Sequence, residues 1–159
     1  MKKFIILIPL FNDWKSVSRL LNEIDLEVKN WDVDVSIVIV NDASTEKRSG
    51  LEFNFKKIKA VKILNMKKNT VHQRCIATGL KYISQNEDFD RVIVMDADGE
   101  DRPEELKRYE DKLKKAVFDY SRAEASSNNG RSSTARKFYG NNESLCTQMQ
   151  VFSSGLIEL

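Results

Sequence analysis

Apolar positions along the chain fall into four short continuous runs, separated by stretches where they recur at helical spacing. The first run, residues 3–9, is rich in isoleucine and unbroken up to Pro9, the pattern of a strand buried on both faces. Asn12 and Asp13 then offer helix-start chemistry. Val17, Leu20, Leu21, Ile24 and Val28 follow along one helical stripe, which predicts an amphipathic helix over that strand. A second strand is predicted at 35–40. It stops abruptly at Asn41, Asp42, Ala43, Ser44 and Thr45, side chains that bond readily to nearby backbone. The third run, 60–64, leads through Asn69 into a helix with Ile76, Leu80 and Ile83 as its inward face. The fourth, 91–95, runs directly into Asp96, Ala97, Asp98, Gly99 and Glu100. Asp101, Arg102, Pro103 and Glu104 read as a helix opening over 103–115, with Asp101 as its cap and Glu104 reaching back to it.

Strands alternating with helices at this spacing predict parallel βαβ units, hence an α/β, Rossmann-like, mostly parallel sheet flanked by helices. In such sheets ligands bind beyond the carboxyl ends of the strands. The polar clusters after Pro9, Val40, Leu64 and Met95 are therefore expected on one edge. Beyond Lys115 the pattern fades. Residues 116–120 suit a fifth short strand, and the remainder is rich in Ser, Asn and Gly without sustained periodicity. The expected division is a binding domain at 1–120 and a poorly defined tail or acceptor-side segment at 121–159.

Composition narrows the class. The chain has 159 residues, 41% of them hydrophobic, enough for one core. Its 26 basic and 24 acidic side chains leave +2 and are interspersed, so nucleic acid is not the expected partner. Cys75 and Cys146 lie far apart without zinc-ligand spacing, which argues against a disulfide framework and fits a reducing, cytoplasmic setting. The longest apolar stretch, 4–11, is far shorter than the roughly 20 residues that span a bilayer, so no transmembrane segment is expected.

Candidate chemistry gathers at the strand ends. Asp96 and Asp98 form a D-x-D pair, and alternation along an extended chain would aim both carboxylates to one side. With Glu100 as a third ligand if the turn folds back, they suit Mg2+ or Mn2+, hard cations that keep positions open for diphosphate oxygens. Taken alone, the pair reads equally well as turn formers. Asp42 is a candidate to accept a nucleobase N–H, with Pro9, Leu10, Asn12 and Asp13 near the same crevice, and equally a candidate for a simple Asx-turn. His72, Arg74 and Arg122 are phosphate-binding candidates, although solvated surface roles are common for such residues.

Taken together, the segments resemble glycosyltransferase family 2. The family's V-P-x-Y-N-E pattern is matched by Ile8, Pro9, Leu10, Phe11, Asn12 and Asp13. Its V-N-D-G-S-T-D strand end is matched by Val40, Asn41, Asp42, Ala43, Ser44, Thr45 and Glu46, with Ala43 in place of the glycine. An N-x-G-x-x-x-A-x-x-x-G-L run corresponds to residues 69–80, where Val71 and Cys75 replace small residues and predict an altered turn. D-A-D-x-Q-x-x-P-E corresponds to residues 96–104, with Glu100 for the glutamine.

The resemblance covers residues 4 to about 115 and implies a GT-A fold. It also implies a nucleotide-diphosphate sugar donor, metal-dependent transfer with inversion, base contact at Asp42, and nucleotide and metal contact at Asp96 and Asp98. Tyr120, Ser121 and Arg122 echo a pattern of the polyprenyl-phosphate glycosyltransferase group. That echo implies a lipid-phosphate acceptor, an acceptor-phosphate role for Arg122 and peripheral association with the inner face of the membrane; a glycan acceptor is the other option. Family members are longer, so the chain is expected to stop before the acceptor half is complete.

A different class, a non-catalytic nucleotide-sugar-binding module or inactive fragment that needs a partner chain, stays open. An aspartyl phosphotransferase is disfavoured because its D-x-D would follow the first strand. A nicotinamide enzyme is disfavoured because no G-x-G-x-x-G follows that strand.

Overall fold

The computed structural model describes residues 1–48, 54–108 and 150–153. Strand β1 (Lys2–Leu10) is followed by helix α1 (Trp14–Glu27) and a single 3-10 turn, then β2 (Val33–Asn41), β3 (Ile58–Asn65), helix α2 (His72–Asn86) and β4 (Arg91–Val94). These are the predicted elements; β1, β2 and β3 extend past their apolar runs because strand pairing carries the backbone ladder further, while β4 stops one residue short of its run. A 3-10 turn, Pro103–Glu105, opens the predicted helix. Helical backbone continues through 108, and 109–115 lie outside the described residues, as does the strand expected at 116–120.

The sheet order is β3-β2-β1-β4-β5. β1 pairs parallel with both β2 and β4, and β2 pairs parallel with β3. The last strand, β5 (Gln150–Ser153), runs antiparallel to β4. No strand was legible there, since four residues in a Ser- and Asn-rich stretch carry no periodicity, and their ladder partner lies far back in the chain. The chain divides into two compact units, Met1–Pro103 with Gln148–Leu159, and Glu104–Thr147. All of the geometry below belongs to the first.

Alternation along the strands gives the sheet two apolar faces. On one face Ile5, Leu7, Val38, Val40, Val92 and Val94 form a core with Cys75, Leu80 and Ile83 of α2. Phe4, Ile6, Ile8, Ile37, Ile39 and Ile93 alternate to the other face, and α1 buries Val17, Leu20, Leu21 and Ile24. Each such side chain fully buried stabilises the fold by about 1.5 to 3 kcal/mol. One prediction shifts: α2 turns Cys75 and Gly79 inward, while Ile76 is only partly buried against the core.

From β1 the chain winds outward through β2 to β3, then crosses back to lay β4 on the other side of β1. The order reverses between β1 and β4. In open α/β sheets ligands bind beyond the carboxyl ends of the strands at such a reversal.

Candidate functional site

At that edge the loop after β1 and the loop after β2 are latched together. The Asp42 N–H donates to the Leu10 carbonyl at 2.8 Å. Asn12 Oδ1 accepts the N–H groups of Thr45 at 2.8 Å and Glu46 at 3.1 Å, and the Asn12 N–H donates to Ser44 Oγ at 2.9 Å. Trp14 adds an indole N–H bond to the Glu46 carbonyl at 3.3 Å. Asp13 accepts the Ser16 N–H at 3.1 Å and so caps α1. Of the residues expected to touch the donor, Pro9 and Leu10 are thus buried wall, and the carbonyl of Leu10 and the side chains of Asn12 and Asp13 are committed to the scaffold. Polar groups at this strand end satisfy one another within the fold, which fixes the shape of the rim that these residues line.

Asp42 is buried at 4% exposure. Its Oδ1 accepts two bonds from Thr70, the backbone N–H at 2.8 Å and the hydroxyl at 3.1 Å. Thr70 immediately precedes Val71, which sits at φ 74°, ψ 146° and forms the N-cap of α2 without a side-chain cap bond. This backbone region is nearly exclusive to glycine. Val71 thus takes a glycine-type backbone with a β-branched side chain, and Ala43 likewise lies at φ 58°. His72 opens α2, and its Nε2 lies 3.6 Å from Asp96 Oδ2. The ends of β2 and β4 are therefore bridged through the start of α2. Cys75 beneath feels both carboxylates: burial first, then the Asp42 and Asp96 charges, push its thiol up to about 11.

β4 ends at Val94, so strand alternation does not reach the D-x-D pair. Asp96 is half-buried, whereas Asp98 and Glu100 are exposed on a bend. The turn is held by its own acids. Asp101 Oδ2 accepts the Asp96 N–H at 2.7 Å, and Asp98 Oδ1 accepts the Glu100 N–H at 2.9 Å. Asp101, expected as a helix cap, instead braces Asp96, and its Oδ1 is buried with no hydrogen-bond partner among the described residues. Burial, reinforced by the Asp98 and Glu100 charges, raises the Asp96 carboxyl above its usual range against the opposing pull of His72. Burial and the same acidic neighbours push Asp101 up to about 6. A Cβ added at Gly99, which sits at φ 92°, would lie 3.2 Å from Arg19 Nη2 of α1.

Negative charge thus accumulates on one turn, with a buried carboxylate oxygen left over, and this suits a hard divalent cation. Among the described residues no three His, Cys, Asp or Glu side chains converge as a metal cage. The Glu100 N–H donates to Asp98 on the same turn. Asp96 and Asp98 share this turn, the first half-buried and the second exposed. Arg74 lies exposed in the first turn of α2. Arg122 lies outside the described residues. Thr70 and Asp101 had no sequence signal for the roles they take, because each acts on a partner fixed only by folding.

The family model for Glycosyl transferase family 2 matches residues 5–155. The chain belongs to this family, and its sheet and flanking helices are the GT-A fold. Among solved structures it is similar to S. aureus TarS 1–349, with 22% identity, a TM-score of 0.54, and coverage of 72% of this chain and 33% of that one. TarS 1–349 in complex with UDP aligns with 22% identity, a TM-score of 0.54 and coverage of 72% and 32%. The complex with UDP-GlcNAc gives 21%, 0.51, 72% and 32%. The chain therefore spans about a third of the length of these structures. No curated protein matches it.

Proposed function

We propose that this chain binds a nucleotide-diphosphate sugar at the carboxyl edge of the sheet and serves transfer of the sugar, with inversion, to an acceptor. The observation that carries the reading is the linkage of Asp42 through Thr70 and His72 to the Asp96–Asp101 turn, which gathers at one rim acids far apart in the chain. That the similar TarS structures hold UDP and UDP-GlcNAc supports the donor class.

In this reading Asp42 faces the base, while His72, Arg74 and the uncapped N–H groups of α2 face the phosphates. Asp96 and Asp98 hold Mg2+ or Mn2+, which when bound neutralises the charge developing on the departing diphosphate. Asp101 fixes the backbone of Asp96, and the acceptor approaches the anomeric carbon from the face opposite the diphosphate. A lipid phosphate is the acceptor we favour over a glycan, with the protein at the inner face of a membrane; Arg122, the residue the family resemblance offers for that phosphate, lies outside the described residues. The protein would associate peripherally, as no helix among the described residues is long and apolar enough to cross a membrane.

Calorimetry with Mn2+ and a panel of nucleoside diphosphates tests the donor site. Metal-dependent binding is expected, with at least a tenfold loss in Asp96→Ala, about 1.4 kcal/mol. A variant that binds like the parent refutes the metal assignment. Binding with neither transfer nor donor hydrolysis favours the non-catalytic module.

A further inference from the structure

Thr70 changes what Asp42 can recognise. A carboxylate offers about four lone-pair positions, two on each oxygen. The Thr70 N–H at 2.8 Å and its hydroxyl at 3.1 Å both land on Oδ1, so that oxygen is filled. Asp42 is 4% exposed and anchored by its own N–H to Leu10 at 2.8 Å. Thr70 holds the side chain and Leu10 the backbone, which leaves Oδ2 as the one carboxylate oxygen without a hydrogen bond among the described residues.

We infer that this site selects a nucleobase carrying one imide N–H, uracil or thymine, and disfavours guanine, with Thr70 as the positioning residue that sets the choice through Asp42. The inference rests on the donor-site reading above and deepens it. Guanine presents two adjacent donors, a ring N–H and an exocyclic N–H, that match a carboxylate only when both oxygens are open. Here the second donor meets a filled oxygen and loses its partner on entering the site. The imide N–H of uracil needs one acceptor, and the carbonyls on either side make it a stronger donor than the exocyclic amines of cytosine or adenine.

The same geometry predicts how the preference inverts. In Asp42→Asn the two Thr70 donors keep the amide oxygen at the Oδ1 position, which places the amide NH2 where Oδ2 was. The site then offers a donor, repels the uracil N–H and accepts the bare ring nitrogen of cytosine.

Calorimetry with Mn2+ and UDP, TDP, GDP, CDP or ADP provides the test on the full chain. UDP and TDP are expected to bind about tenfold or more tightly than GDP. Asp42→Asn is expected to weaken UDP and bring CDP level with it or above. Thr70→Val, which keeps the backbone donor and frees one Oδ1 position, narrows the gap between UDP and GDP. A structural role alone would lower every nucleotide together and leave these ratios fixed, and that result overturns the inference. So does preferred binding of GDP or ADP that Asp96→Ala still abolishes, in which case the donor site stands and only the base assignment falls. Failure of every nucleotide to bind overturns both.

Discussion

Val71 holds the most costly backbone among the described residues. A β-branched side chain at φ 74°, ψ 146° carries strain of about 1 to 3 kcal/mol. It persists because Asp42 grips Thr70 on one side, while on the other the Val71 carbonyl accepts the N–H groups of Arg74 and Cys75, both at 3.1 Å. Val71→Gly is therefore expected to raise the free energy of unfolding by about 1 kcal/mol after the entropy glycine adds to the unfolded chain, measured by urea denaturation. Ala43, at φ 58°, suffers less crowding, and Ala43→Gly should be near neutral. Equal effects of the two would mean that Val71 is unstrained.

Both positions stand where the family pattern carries glycine, and both adopt a positive φ of the kind glycine takes most easily. Asp42 and Asp96 were legible because a hydrophobic run ends at each. Thr70 and Asp101 were not, because their roles lie in single hydrogen bonds to Asp42 and to the Asp96 backbone.

Among the elements, β3 depends on an acid of α1. Asp25 accepts the N–H groups of Lys56 at 3.0 Å, Lys57 at 2.7 Å and Ile58 at 3.0 Å, fixing the entry to the strand. Burial by itself raises the Asp25 carboxyl, but the three N–H groups and the Lys56 charge outweigh it and hold the carboxyl below its usual value. The unfolded chain then binds more protons than the folded one as pH falls. The contribution of Asp25 is complete above the unfolded carboxylate pKa of about 3.9 and fades as pH drops through the lower folded value. Asp25→Asn should cost about 1 kcal/mol near neutrality, modest because the group is partly open to solvent. It should also flatten the decline of stability below about pH 4. Parallel pH profiles for parent and variant would refute this.

α2 depends on close approach. A Cβ at Gly79 would lie 2.5 Å from Leu7 Cδ1 and 2.8 Å from Val40 Cγ2, both fully buried. Gly79→Ala is expected to destabilise by about 1 to 3 kcal/mol, visible as a lower denaturation midpoint. An unchanged midpoint would mean that the helix packs further from the sheet. The four parallel strands and both helices were legible from periodicity. β5 was not, since an edge strand formed across so long a separation leaves no local pattern.

For the whole molecule, the acceptor decides whether the rim is sufficient for transfer. A hydroxyl must lose a proton as it attacks and needs a positioned base. Among the described rim acids, Asp96 and Asp98 are the proposed metal carboxylates, Asp101 is buried against the Asp96 backbone, the Asp42 carboxylate is held by Thr70, and Glu100 lies exposed on the metal turn. A phosphate monoester enters already ionised, with a second pKa of about 6, and asks only for charge and orientation. Transfer from a UDP-sugar to a short isoprenyl phosphate in the presence of Mn2+ is therefore expected to rise with pH through about 6 and then level, while alcohols of matched length give none. Radiolabelled sugar followed across pH 5 to about 8 would show it. Faster transfer to the alcohol would place a base at this rim and remove the case for a phosphate acceptor, while leaving the donor site as built.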